Sequence, residues 1–134
     1  MKKLLSLLII TVAFLTFCFV EATRTSSSNA AVAASYKQVQ ALHILVPTEK
    51  QAQEVRSEIV AGETQQAIFS NFMRAARKYS TCPSGSSGGI LGWFGRGDMV
   101  PAFERAAFEL PNGQVSEPVK TQFGYHLIYV ISKK

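Results

Sequence analysis

The sequence predicts an α+β domain, a small antiparallel sheet with helices packed on it. Three observations lead there. Apolar residues crowd into strand-like runs at both ends of the globular part, over 39–46 and 126–131. Between those runs they recur with helical spacing. At 134 residues the chain has room for one core and a short extra segment, and no internal repeat is visible.

The first segment is of a different kind. Met1-Lys2-Lys3 precedes an apolar run from Leu4 to Val20 broken only by Ser6, Thr11 and Thr16, the layout of a secretory signal peptide. Val20-Glu21-Ala22 offers a small-x-small cleavage site, and Ala31-Val32-Ala33 a second. Residues 1–22 are therefore expected to be a signal peptide or, if uncleaved, a membrane anchor through residues 4–20. A bipartite organelle-targeting leader is the third option, because 23–35 is rich in Ser and Ala, carries Arg24 and lacks acids. That composition cannot bury a core, so 23–35 is expected to be a flexible linker and 36–134 the folded domain. The expected location is the secretory pathway, the periplasm or another extracytoplasmic space. Membrane contact would come only through the uncleaved leader. Cys18 falls inside the leader, which leaves Cys82 alone in a processed chain and no internal disulfide.

Within the domain, Val39, Ala41, Leu42, Ile44, Leu45 and Val46 read as a mostly buried strand that contains His43. Pro47 ends it, and Thr48 with Gln51 forms a capping box for a helix. Ala52, Val55, Ile59 and Val60 give that helix its apolar face, and Gly62 stops it. A second helix carries Phe69, Phe72, Met73, Ala76 and Tyr79, with Glu63 to Asn71 read as extra helix or a surface loop. Phe103, Ala106, Ala107 and Leu110 mark a short third helix, begun near Pro101. Pro111-Asn112-Gly113 is a turn signal, and Val115–Val119 and His126–Ile131 read as strands joined through Gly124.

Between the second and third helices lies the most unusual stretch, residues 80–103. Six of the nine glycines fall in it, so the backbone there is expected to turn repeatedly. Leu91, Trp93, Phe94, Met99 and Phe103 interrupt those turns with large apolar side chains that need burial or a ligand. The product should be a shaped apolar surface on a glycine-cornered frame. No G-x-G-x-x-G or G-x-x-x-x-G-K-[ST] pattern occurs, which speaks against a phosphate cradle.

Composition narrows the function classes further. The apolar fraction is 47% and the net charge +5. From residue 35 onward eleven Lys or Arg stand against eight Asp or Glu, a net +3. No basic run is interleaved with aromatics, so nucleic acid is not an expected partner. His43, His126 and Cys82 are the side chains best suited to chemistry. Three readings of them are open on residue type alone: core histidines satisfied by hydroxyls, a Cys–His hydrolase, or a zinc site with Asp98 as the fourth ligand.

Ala41-Leu-His-Ile-Leu-Val46, Ser80-Thr-Cys-Pro-Ser-Gly85, Gly89-Ile-Leu-Gly-Trp-Phe-Gly-Arg-Gly-Asp-Met-Val-Pro-Ala-Phe103 and Thr121-Gln-Phe-Gly-Tyr-His126 together resemble the parvulin peptidyl-prolyl isomerases. The resemblance spans about residues 39–131 and keeps the order of the blocks. It implies a parvulin-like sheet of about four strands with packed helices. It also implies a site of paired histidines, His43 and His126, with Cys82 beside them and Thr121 hydrogen-bonded within the pair. Leu91, Met99 and Phe103 would line a proline pocket, with Phe123 at its edge. No metal and no cofactor are implied.

The expected activity is rotation about X-Pro bonds in extended or unfolded exported proteins, by a monomer. The alternative is a chaperone or binding module that holds proline-containing chains without turnover. One position departs from the family: Ile90 stands where an acid is usual, which leaves the rigidity of the loop in question. The Val46-Pro-Thr-Glu-Lys50 link has one basic residue, and 23–35 has no tryptophan. A phosphate-directed specificity or a WW-like module within those residues is therefore not expected.

Overall fold

The computed structural model describes residues 35–134; the leader and most of the linker expected at 1–22 and 23–35 lie outside the described residues. The elements in order are β1 (Gln38–Val46), α1 (Glu49–Val60), α2 (Gln65–Tyr79), a 3-10 turn (Pro83–Ser87), β2 (Ile90–Gly95), α3 (Pro101–Glu109), β3 (Val119–Thr121) and β4 (Gly124–Lys133). The four strands form one antiparallel sheet in the order β2-β1-β4-β3. This is the expected α+β architecture.

The sheet divides the core by strand alternation. Leu42, Ile44 and Val46 of β1 and Leu127 and Tyr129 of β4 face α1 and α2, where Val55, Ile59, Phe72 and Ala76 complete one buried cluster. Val39 and Ala41, with Ile128 and Val130, face α3 and pack on Phe94, Phe103, Ala107 and Phe108. His43 continues the Val39–Ala41 side, and His126 continues the Ile128–Val130 side. Both histidines therefore point to the α3 face. β1 and β4 pair with Leu45 opposite His126 and His43 opposite Ile128, which makes the two histidines diagonal neighbours.

Each helix starts as its capping residues dictate. Thr48 accepts the Gln51 N–H at the head of α1, and Thr64 accepts the Ala67 N–H at 3.1 Å at the head of α2. The second cap settles the 63–71 alternative: residues from Gln65 onward are helix, continuous with the rest of α2. α1 ends at Val60, but Gly62 is not in the left-handed region that usually explains a terminal glycine. A Cβ at 62 would lie 2.9 Å from the Ile68 nitrogen, so glycine is needed there for a close approach. Proline opens α3 at Pro101.

Two expectations are corrected. Ile90–Gly95 in the glycine-rich stretch is an edge strand on β1, where repeated turning was expected. Backbone pairing does not depend on the side chains that normally advertise a strand. Residues Val115–Val119 are not a strand throughout: a single bridge joins Val115 to Tyr129, and the ladder begins only at Val119. Ser116 is the reason, since its hydroxyl accepts the Ile128 N–H at 2.9 Å, and Pro118 has no N–H to offer a ladder.

Candidate functional site

The site grows from three anchor points on the α3 face. β1 supplies His43 and β4 supplies His126, which are 6% and 5% exposed. The segment after α2 is fastened along β1: Leu45 donates its N–H to Ser80 Oγ at 3.1 Å, and Thr81 donates its N–H to the Leu45 carbonyl at 2.8 Å. That clasp sets Cys82 beside the histidines and starts the 3-10 turn. A little further on, the His43 N–H bonds the Gly89 carbonyl at 2.8 Å. Gly89 sits at φ +81°, and a Cβ there would fall 2.3 Å from the His43 carbonyl oxygen. Only glycine lets the backbone pass this close behind the imidazole.

The two imidazoles meet directly, Nδ1 to Nδ1, at 3.2 Å. Their outer nitrogens each find a hydroxyl: Ser84 Oγ lies 2.8 Å from His43 Nε2, and Thr121 Oγ1 lies 2.8 Å from His126 Nε2. Burial holds the His43 pKa down to about 4, with the neighbouring His126 adding to the effect. Burial lowers His126 as well. Both rings are therefore neutral at pH 7, and a neutral pair shares one Nδ1–H between the two facing nitrogens. One outer nitrogen must then donate and the other accept.

The surrounding bonds choose between the two arrangements. Thr121 Oγ1 accepts the Phe123 N–H at 3.2 Å and keeps its own hydrogen to give, so it can donate to His126 Nε2. On the other side the Ser84 hydroxyl donates to Cys82 Sγ at 3.4 Å and so accepts from His43 Nε2–H. All the bonds run one way, from the Phe123 amide through the two rings to the Cys82 sulfur. The sulfur's partner is a hydroxyl and not an imidazole, so the arrangement a Cys–His hydrolase would use is not formed. Among the described residues no group of three His, Cys, Asp or Glu side chains could hold a metal ion, and the zinc geometry with Asp98 is not assembled.

Over this polar floor opens a cavity of about 450 Å³. His43, His126, Cys82, Leu91, Met99, Phe103 and Phe123 all line it; Thr121 stands behind His126, off the lining. Phe103 presents its edge to both imidazoles, with ring centroids 5.8 Å from His43 and 5.3 Å from His126. Phe123 is 62% exposed at the edge. Reasoning on the sequence missed Leu45, Thr81, Pro83 and Val100 on the lining, and Ser84 beneath it. A donor count calls for a second hydroxyl, since a buried histidine pair leaves two outer nitrogens and Thr121 serves one of them, but it does not single out Ser84 among the hydroxyls of 80–87.

The glycine-rich frame is held by carboxylates. Asp98 accepts the Gly95 N–H at 2.7 Å, and Glu104 accepts the Gly97 N–H at 2.6 Å. Arg96 adds a 3.8 Å ion pair to Glu104 and lies over the Phe108 ring. Ile90 is a 48% exposed edge-strand residue, and the loop that follows is fastened without it.

Residues 25–132 match the family model "Rotamase: PPIC-type PPIASE domain". The foldase protein PrsA of Geobacillus kaustophilus is 48% identical over 75% of this chain and 34% of its own length. The chaperone SurA of Burkholderia thailandensis is 40% identical over 83% of this chain and 25% of its own. The chain thus spans about a third or less of these curated relatives. The solution structure of the parvulin of Nitrosopumilus maritimus superposes with a TM-score of 0.61 at 36% identity, covering 72% of this chain and 97% of that one.

Proposed function

The chain belongs to the PPIC-type peptidyl-prolyl isomerase (parvulin) family, and on that premise we propose that it catalyses rotation about X-Pro bonds in extended polypeptides. The observation that carries this reading is the directly hydrogen-bonded histidine pair lying under an apolar cavity. Amide rotation meets a barrier of about 20 kcal/mol because the C–N bond is partly double. No bond is made or broken, so a nucleophile is not required. The site has to hold the proline ring, strip water from the preceding carbonyl, and favour the twisted amide over the planar one. A reduction of about 7 kcal/mol would accelerate the step roughly 10⁵-fold.

Each group has a part in that scheme. Met99, Leu91 and Phe103 grip the proline ring, and Phe123 covers the chain at the edge. His43 and His126, fixed by Ser84 and Thr121, supply a rigid polar floor without a charge. Twisting localises the lone pair on nitrogen, and oriented dipoles beneath the cavity respond to that change with no reorganisation of their own. Cys82 acts through its dipole and not by attack on the carbonyl. Retention of turnover in Cys82→Asp is the check on that role, and complete loss in a folded variant that still binds peptide would refute it.

The substrates follow from the lining. Among the described residues no Lys or Arg faces the cavity, so a phosphorylated residue before proline finds nothing there to offset its charge. Apolar or uncharged residues are preferred there. An exported location and unfolded exported clients are supported by the leader at 1–22 and by the PrsA and SurA relatives, whose names are foldase and chaperone. The working form is a monomer, soluble after cleavage at Ala22 or tethered through residues 4–20. Amino-terminal sequencing of the natural protein decides between those forms, and Met1 on a membrane-extracted protein would refute cleavage. Among the described residues no helix is long and apolar enough to cross a membrane.

Turnover of short X-Pro peptides tests the function. Acceleration separates an isomerase from a chaperone that only holds proline-containing chains. Fastest turnover of a phosphoserine-proline peptide would overturn the stated preference.

A further inference from the structure

Among the described residues Asp98 is the one formally charged side chain on the cavity lining, where the histidines are neutral and the remaining residues are apolar or weakly polar. It is exposed, and its Oδ2 accepts the Gly95 N–H at 2.7 Å, which ties one carboxylate oxygen to the loop backbone. No ion pair engages it among the described residues. Arg96, two residues away, is directed to Glu104 and the Phe108 ring.

From this arrangement we infer that Asp98 is a specificity-determining residue. Its carboxylate favours peptides with Lys or Arg beside the proline over peptides with Asp or Glu there. The inference rests on the isomerase reading above and names the substrate class of the same site. Met99, the next residue in the chain, lines the cavity as well, so the carboxylate stands beside the groups that grip the proline ring. Consecutive Cα atoms are about 3.8 Å apart, and a Lys or Arg side chain on either neighbour can span the distance to the mouth. The net positive charge of the domain works against cationic peptides in general. Screening over about 8–10 Å leaves the nearest charge to decide.

The test uses X-Pro-X peptides in which either neighbour of proline is Lys, Leu or Glu, with the wild-type protein and Asp98→Asn. The Asn amide oxygen keeps an acceptor for the Gly95 N–H, so the loop is preserved while the charge is removed. Both kcat/KM and Kd, the latter by calorimetry, are read as Lys-over-Glu ratios. The expected wild-type ratio is about three- to tenfold at low ionic strength for at least one neighbour, the size of an exposed charge pair gained against one repelled. It should fall to within about twofold in Asp98→Asn, and also in wild type at about 0.5 M salt. Equal ratios in the two proteins at both neighbours would overturn the inference and leave the isomerase reading intact. A Kd ratio that depends on Asp98 without turnover of any peptide would remove the isomerase reading and keep the charge selectivity.

Discussion

Ser84 stands 2.8 Å from the outer nitrogen of His43, matching the 2.8 Å between Thr121 and the outer nitrogen of His126. The pair is thus satisfied at all four ring nitrogens by groups from β1, the 3-10 turn, β3 and β4. Ser84→Ala and Thr121→Val should each leave a buried nitrogen without its partner. The expected loss is about 1–3 kcal/mol of stability, with reduced turnover, read by urea unfolding and a peptide assay. Variants as stable and as active as the wild type would show that the hydroxyls are spectators.

The neutrality of the pair sets a pH dependence. His43 titrates near 4 in the folded protein and near 6.5 when unfolded, so the unfolded chain takes up its proton first as the pH falls. The stability tied to the neutral ring is full above pH 6.5 and is lost as the pH falls through about 4. The amount is on the order of 3 kcal/mol, and His126 contributes in the same direction. Urea midpoints measured between about pH 7.5 and 4 should decline through this window. Turnover should stay flat from about pH 8 to 6; a titration of activity centred near 6.5 would contradict a neutral, buried pair.

Gly89 can be tested against a glycine of similar backbone angle. Gly89→Ala places a Cβ 2.3 Å from the His43 carbonyl oxygen, whereas Gly92→Ala, at φ +73°, meets nothing within 4 Å among the described residues. The second change should cost about 1–2 kcal/mol from backbone strain alone. The first should cost clearly more and disturb the His43 ring. Denaturant unfolding of the two variants provides the comparison, and equal losses would mean that the close approach is not maintained in solution.

Met99→Ala should weaken catalysis by more than tenfold through loss of contact with proline. Phe103→Ala should do the same but also destabilise the fold by about 3–5 kcal/mol. Phe103 is 3% exposed and packs on Phe94 as well as on the imidazoles, so it belongs to the core and the cavity at once. Met99 is only half-buried and is the cleaner probe. Unchanged turnover in a folded Met99→Ala protein would remove the pocket assignment.

Much of this molecule was legible in the sequence because side-chain pattern decided it. Ala52, Val55 and Ile59 repeat at helical spacing and do form the buried face of α1. His43 and His126 were assigned to the first and last strands, and strand alternation puts both on one face of the sheet. What stayed hidden was decided by the backbone. The edge strand Ile90–Gly95 contains two glycines and pairs through its main chain, and Gly62 is required by a contact with α2 that no local signal announces. Ser84 was hidden differently: its partner is 41 residues away in sequence, and a serine in a Pro-Ser-Gly turn looks like any turn residue.

The most direct measurement is the rate of cis-to-trans rotation of a Leu-Pro peptide at pH 7, with and without the protein, in wild type and in Met99→Ala. The wild type should accelerate rotation well above the uncatalysed time of tens of seconds or more, and Met99→Ala should lose at least about nine-tenths of that acceleration. Peptide that binds in the cavity while rotating no faster than in buffer would contradict the isomerase function.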